Sequence, residues 1–175
     1  NGIEKFSISF WVKTSSSGNG QTIFGHWGNN NGAVGVNRGV VIYNNNGKIG
    51  FGNWAGEGDI FSGGIETNTW QHICVVFDGS SSPGNRVNFY VNGNIDNYVE
   101  ETMTNSTIGN ATSSFFGRRN IDWDNYGAYF NGEIDDVIIW DRALSASEIQ
   151  QLVNSSTYTW SIGETTETIA VTPSE

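Results

Sequence analysis

Cysteine is almost missing from this chain: Cys74 stands alone among 175 residues. No intrachain disulfide can form, so burial and hydrogen bonding must hold the fold. Cys74 lies in the apolar run Ile73-Cys74-Val75-Val76-Phe77. Such surroundings raise a thiol pKa, which points to a buried structural thiol and away from a nucleophile. Histidine is nearly as scarce, with His26 and His72 alone, and proline occurs twice. No nucleophile-elbow motif accompanies the two histidines, so a serine hydrolase has no support. Positive charge is also short: 8 Lys and Arg stand against 18 Asp and Glu, for a net charge of -10 and a pI near 4.4. That balance repels phosphate backbones and anionic membranes, which argues against a nucleic-acid partner and suits cations. No apolar run approaches the length of a membrane helix, so no membrane insertion is expected.

What is plentiful is glycine, at 23 residues, together with Asn, Thr, Ile and Val. The length fits one domain with a sizeable core plus a short tail. Residues 6–13 alternate strictly, with Phe6, Ile8, Phe10 and Val12 on one face, the pattern of a half-buried strand. Residues 14–20 read as a loop and 21–25 as a short strand. Residues 39–43 and 48–52 form two strands joined through Asn44-Asn45-Asn46-Gly47, whose Asn and Gly tolerate the positive φ that such a turn needs. Residues 70–78 are apolar on both faces, as for a central strand under a second sheet. Residues 86–91 and 94–99 flank Asn92-Gly93, a strong hairpin signal. A short strand begins at Phe115, and residues 132–141 make the last long strand. Many short strands with regular turn signals predict a sandwich or barrel.

One helix is expected over residues 145–154, packed at the sandwich edge. Ser145 and Glu148 form a capping box, and Leu144 and Ile149 can staple across the cap. Ile149, Leu152 and Val153 give the apolar stripe. Of the seven tryptophans, Trp11, Trp70 and Trp140 fall in strands and are assigned to the core.

Four stretches, in matching order and spacing, resemble the laminin-G-like jelly rolls of the pentraxin and concanavalin A type. They are residues 6–12, Phe-Ser-Ile-Ser-Phe-Trp-Val; residues 70–78, Trp-Gln-His-Ile-Cys-Val-Val-Phe-Asp; residues 87–93, Val-Asn-Phe-Tyr-Val-Asn-Gly; and residues 130–149, which combine strand, turn and capped helix. The resemblance implies an all-β fold: a two-sheet antiparallel jelly-roll β-sandwich with one short C-terminal helix, spanning residues 1–157. It also implies a secreted or cell-surface protein. Such domains begin with a further strand ahead of the first stretch, where this sequence has residues 1–5 alone. Either that edge is absent or the tail fills it. Residues 158–175, rich in Thr and Glu, accordingly read as a linker or an edge-strand tail. They resemble the end-of-repeat segments of secreted multi-domain bacterial proteins, which implies a larger parent.

Glycosidases share this fold, so the carboxylates matter. A retaining glycosidase needs two carboxyl groups about 5 Å apart. The similar jelly-roll glucanases place Glu, Asp and Glu along one strand. Here Glu133-Ile134-Asp135-Asp136-Val137-Ile138 starts that way, but Ile138 stands where the acid/base should be. No catalytic residue is assigned. His72, in a buried-looking strand, reads as a hydrogen-bonded structural histidine.

Binding candidates are better represented. Calcium takes six to eight oxygen ligands. The segment holding Asn120, Asp122 and Asp124 supplies oxygen donors at alternate positions. In the similar pentraxins this region ligates calcium together with an Asx pair from an early loop, whose counterpart here is Asn29, Asn30 and Asn31. A second, structural calcium could use Asp135 or Asp136. Sugars are bound by aromatic faces plus a few placed polar groups. Trp27, Trp54 and Trp123 sit in Gly/Asn/Asp-rich loops and are the candidate platforms, with Tyr126 beside them. Arg118 and Arg119 could recognise an acidic sugar. The resulting expectation is a non-catalytic carbohydrate-binding module, calcium-dependent or calcium-stabilised, that directs a larger secreted protein to polysaccharides or other glycans. The alternative is a protein-adhesion or spacer module of a cell-surface protein.

Overall fold

The alternation that begins at Phe6 becomes the strand β1 (Lys5–Thr14), with Phe6, Ile8, Phe10 and Val12 all buried. A computed structural model describes residues 2–27, 39–53, 59–97, 102–109, 113–118 and 129–154. After β1 come β2 (Gln21–Trp27), β3 (Gly39–Asn45), β4 (Lys48–Gly52), β5 (Ile60–Phe61), β6 (Gln71–Asp78), β7 (Val87–Val91), β8 (Asn94–Ile95), β9 (Ser113–Phe116) and β10 (Gly132–Trp140). A single α-helix among the described residues, α1 (Ala146–Asn154), follows. The strands form two antiparallel five-stranded sheets, β10-β1-β6-β7-β8 and β5-β4-β3-β2-β9. This is the expected jelly-roll β-sandwich. Among the described residues no helix is long and apolar enough to cross a membrane.

The core is the space between the sheets. Phe6 and Phe77 of the first sheet meet Phe51 of the second at ring-centroid distances of 6.3 and 6.2 Å, both stacked. Removing one such ring costs about 3–5 kcal/mol, because the lost transfer energy is joined by a cavity. Met103 and Ile108 complete the cluster, and Ile108 pairs with Ile3. Arg86 fastens that segment through the carbonyls of Met103, at 3.1 Å, and Thr104.

Both hairpin turns take the backbone that their sequence requires. Asn46 and Gly47 have φ of 53° and 76°, and Asn92 and Gly93 have 49° and 79°. Positive φ at both central residues matches the right-handed twist of the flanking strands. Strand β8 stops at Ile95, short of the expected residue 99, because a side chain takes over the pairing. The Phe89 N–H donates to Asn97 Oδ1 at 2.8 Å, and Asn97 Nδ2 donates to Asn88 Oδ1 at 2.9 Å. Strand β5 has two residues, too few for any sequence pattern to announce.

The helix lies on the outer face of the first sheet, not at the sandwich edge. Leu144 and Ile149 pack on Cys74 and Val76 of β6, with Tyr90 and Trp140 beside them. This second layer is why β6 is apolar on both faces. The capping box forms: Ser145 N–H donates to Glu148 Oε2 at 2.8 Å, and Glu148 N–H donates to Ser145 Oγ at 3.3 Å. The Ser7 hydroxyl anchors the approach to the helix, donating to the Arg142 carbonyl and accepting from Leu144 N–H, both at 2.9 Å.

The strand tryptophans are not the core. Trp11 and Trp140 are half-buried on the outer face of the first sheet, and Trp70 precedes β6 with 40% of its surface exposed. Phenylalanine and aliphatic residues fill the interior instead. A bulge explains the pattern of β10. Its register with β1 passes from Ser9↔Ile138 to Trp11↔Asp135, and Asp136 takes φ 47°. The extra residue lets Ile134 and Val137 both reach the core although three positions separate them.

Candidate binding face of the second sheet

Antiparallel pairing decides which loops meet. Trp27 pairs with Gly39 and with Ser113, Val41 with Gly52, and Phe51 with Ile60. These residues therefore share one end of the second sheet. The segment carrying Asn29, Asn30 and Asn31 and the segment carrying Trp54 both leave from that end. The residues of those two segments, and the Trp27 side chain, lie outside the described part.

Arg118 stands at the other end of β9, just past Gly117, with its guanidinium 5.7 Å from the centre of the Phe115 ring. Four strand residues span about 13 Å, so the root of the Asp122/Trp123 segment is separated from Trp27 by that length of sheet. Phe130 N–H donates to the Gly117 carbonyl at 2.9 Å, which holds the two ends of that segment together. Arg119, Asn120, Asp122, Trp123, Asp124 and Tyr126 lie outside the described residues.

The outer face of this sheet holds a group that sequence reasoning missed. Strand β4 turns Ile49 and Phe51 inward and Gly50 and Gly52 outward. Tyr43 on β3 and Phe61 on β5 flank Gly50 from either side and close over it. A Cβ on Gly50 would lie 2.6 Å from the Tyr43 ring and 2.9 Å from the Phe61 ring. The two rings meet edge to face with centroids 6.1 Å apart. Over Gly52 lies the Asp59 carboxylate, which accepts a hydrogen bond from the Tyr43 hydroxyl. The three side chains are half-buried. Two aromatic faces beside an anchored carboxylate suit a sugar ring, which offers C–H groups to one and hydroxyls to the other. The available signal was the run Lys48-Ile49-Gly50-Phe51-Gly52. Glycine at two successive outward positions, Gly50 and Gly52, leaves a furrow that neighbouring side chains must fill.

The carboxylates of β10 face away from this site, on the other sheet. Glu133, Asp135 and Ile138 stand opposite Lys13, Trp11 and Ser9, which share the outer face of the first sheet. Glu133 is paired with Lys13 at 2.9 Å. Asp135 Oδ1 accepts the Asp136 N–H at 2.8 Å, so this pair builds the bulge. Two adjacent carboxylates fall well short of the six to eight oxygens calcium takes. Among the described residues no three His, Cys, Asp or Glu side chains gather as a metal site.

His72 and Cys74 are structural in their surroundings. Burial pushes the His72 pKa down to about 4 and the Cys74 thiol up to about 12. The His72 ring meets Trp11 edge to face at 5.6 Å, and its Nδ1 is buried without a partner among the described residues. It is the His72 backbone N–H that bonds, to Asn92 Oδ1 at 2.9 Å.

A family model of the concanavalin A-like lectin/glucanases superfamily, of the laminin-G type, matches residues 2–150. The chain belongs to this family. Solved structures repeat the fold of this laminin-G-like domain. A native heptameric SAP-like pentraxin from Limulus polyphemus is similar at TM-score 0.62 and 18% identity, over 86% of this chain and 70% of that one. Domain 4 of the extracellular GH43 arabinanase AbnA from Geobacillus stearothermophilus, in complex with arabinotriose, is similar at TM-score 0.60 and 22% identity, over 87% and 68%. The binding domain of botulinum neurotoxin serotype G is similar at TM-score 0.63 and 22% identity, over 90% of this chain and 37% of that one. At these identities the likeness establishes the fold. The comparison with curated proteins found no match.

Proposed function

We propose that this laminin-G-like domain is a non-catalytic carbohydrate-binding module of a larger secreted protein, and that glycan lies on the second sheet. The observation that carries this reading is the platform of Tyr43, Phe61 and Asp59 over Gly50 and Gly52. It opens toward the end of the sheet from which the Asn29–Asn31 and Trp54 segments leave. The arabinotriose bound by AbnA domain 4 supports a saccharide as the ligand class. In this reading calcium is held by Asn120, Asp122 and Asp124 and either bridges to the sugar or steadies its loop. Trp123, Tyr126, Arg118 and Arg119 would extend the contact from the far end of β9. The absence of catalysis is supported by Ile138, which occupies the place of a third carboxylate beside Glu133 and Asp135.

The test is a glycan array probed with and without calcium. Binding to at least one plant, bacterial or marine polysaccharide is expected. No binding in either condition, alongside capture of a protein ligand, would replace this reading with that of an adhesion module.

A further inference from the structure

Strands β3 and β5 flank β4, so the backbones that carry Tyr43 and Phe61 lie about 9.6 Å apart, twice the spacing between strands. Their ring centroids are closer, at 6.1 Å, and the ring planes stand at 80° to each other. This convergence needs Gly50, because a Cβ there would meet both rings inside contact distance. The two rings therefore form a corner, not a level strip. A flat ligand can lie along one of them at most. A single sugar ring can rest its C–H face on one aromatic face and turn its edge to the other.

The polar side of the corner is negative. Asp59 takes the Tyr43 hydroxyl on Oδ2 and holds Oδ1 over Gly52. An ionised carboxylate only accepts hydrogen bonds, so it calls for hydroxyl groups on a ligand. Two cations of this sheet are rooted elsewhere. Lys48 stands four residues along β4 from Gly52, at the turn end, about 13 Å away, and is engaged in a contact of its own. Arg118 lies over Phe115 of β9, and β9 is three strand spacings from β4, about 14 Å. The chain as a whole carries a net charge of -10, which repels polyanions at longer range.

We infer that the corner of Tyr43, Phe61 and Asp59 holds one residue of a single, uncharged glycan chain. The inference rests on the carbohydrate reading above and narrows its ligand class. The packed chains of a crystalline polysaccharide present a flat face, which two rings at 80° cannot follow. A uronate or sulfated chain would bring a second negative charge against Asp59. A soluble neutral saccharide meets neither obstacle. Its C–H groups meet Tyr43 and Phe61, and its hydroxyls donate to Asp59.

The experiment offers the full chain three classes of probe. The first is neutral soluble oligosaccharides, as fragments of arabinan, xylan, mannan and β-glucan. The second is uronate and sulfated oligosaccharides of similar length, and the third is crystalline cellulose and chitin. Binding to at least one neutral probe is expected, at least about tenfold tighter than to any charged or crystalline one. Asp59→Asn should weaken that binding about fivefold. The amide oxygen still accepts the Tyr43 hydroxyl, so the corner keeps its shape, but a neutral acceptor holds ligand hydroxyls less strongly than a carboxylate. Tightest binding to a charged or a crystalline probe overturns the inference and leaves the carbohydrate reading standing. So does neutral binding that Asp59→Asn leaves unchanged or strengthens, because the saccharide then lies off the corner. Binding to none of the three classes overturns the carbohydrate reading, and this inference with it.

Discussion

Tyr43 and Asp59 are joined across the outer face of the second sheet, hydroxyl to carboxylate, above glycines that leave room for both. The bond fixes the Tyr43 ring beside Phe61, so the aromatic surface is set before a ligand arrives. A well-placed stacked ring contributes about 1 kcal/mol or more. Phe61→Ala and Tyr43→Ala should each weaken glycan affinity about tenfold, measured by calorimetry on a ligand from the array. Gly50→Ala should weaken it as well, since the added methyl displaces both rings. Unchanged affinity in all three variants removes the platform from the site.

Calcium can be separated from the platform. Asp122→Asn and Asp124→Asn are expected to reproduce the effect of EDTA on glycan affinity. If EDTA lowers the melting temperature but leaves the affinity of the folded protein unchanged, the metal is structural.

Hydrolysis should be absent. Ile138 sits in the line of Glu133 and Asp135 on a sheet face opposite to the platform. The protein should release neither reducing ends nor unsaturated products from plant or marine glycans. Ile138→Glu should not create activity, because a carboxylate without a sugar cleft has nothing to protonate. Turnover by the wild-type chain contradicts the proposal directly.

His72 should govern stability in mild acid. Burial depresses its folded pKa from 6.5 to about 4. Above pH 6.5 the ring is neutral in both states and its burial is unopposed by protonation. As pH falls from 6.5 toward 4 the unfolded chain takes up a proton that the folded chain refuses, so stability drops. The loss approaches about 3 kcal/mol near pH 4. His72→Phe should flatten the dependence of the unfolding free energy on pH between 6.5 and 5. An equal slope in both proteins would assign the acid sensitivity elsewhere.

The helix depends on a serine far from it in sequence. Ser7 bonds both the Arg142 carbonyl and the Leu144 N–H. Ser7→Ala leaves both without that partner and should cost about 1–3 kcal/mol. Ser145→Ala removes the cap and should cost about 1 kcal/mol. Urea unfolding with an unchanged slope and a lowered midpoint is the expected signature.

Features set within a few residues could be read before folding. The alternation of β1, the two Asn-Gly turns and the capping box of Ser145 and Glu148 each depend on local backbone geometry, and the structure holds them as expected. Which residues face what depended on tertiary structure. Trp11 and Trp140 look like core residues in a strand pattern, yet the interior lies on the opposite face of their sheet. The Asp136 bulge reverses the alternation of β10 midway, and no periodicity marks it in advance. Tyr43, Asp59 and Phe61 are brought together by pairing of β3, β4 and β5. Inter-strand hydrogen bonds set that register, and so the composition of the face, where local propensity has no reach.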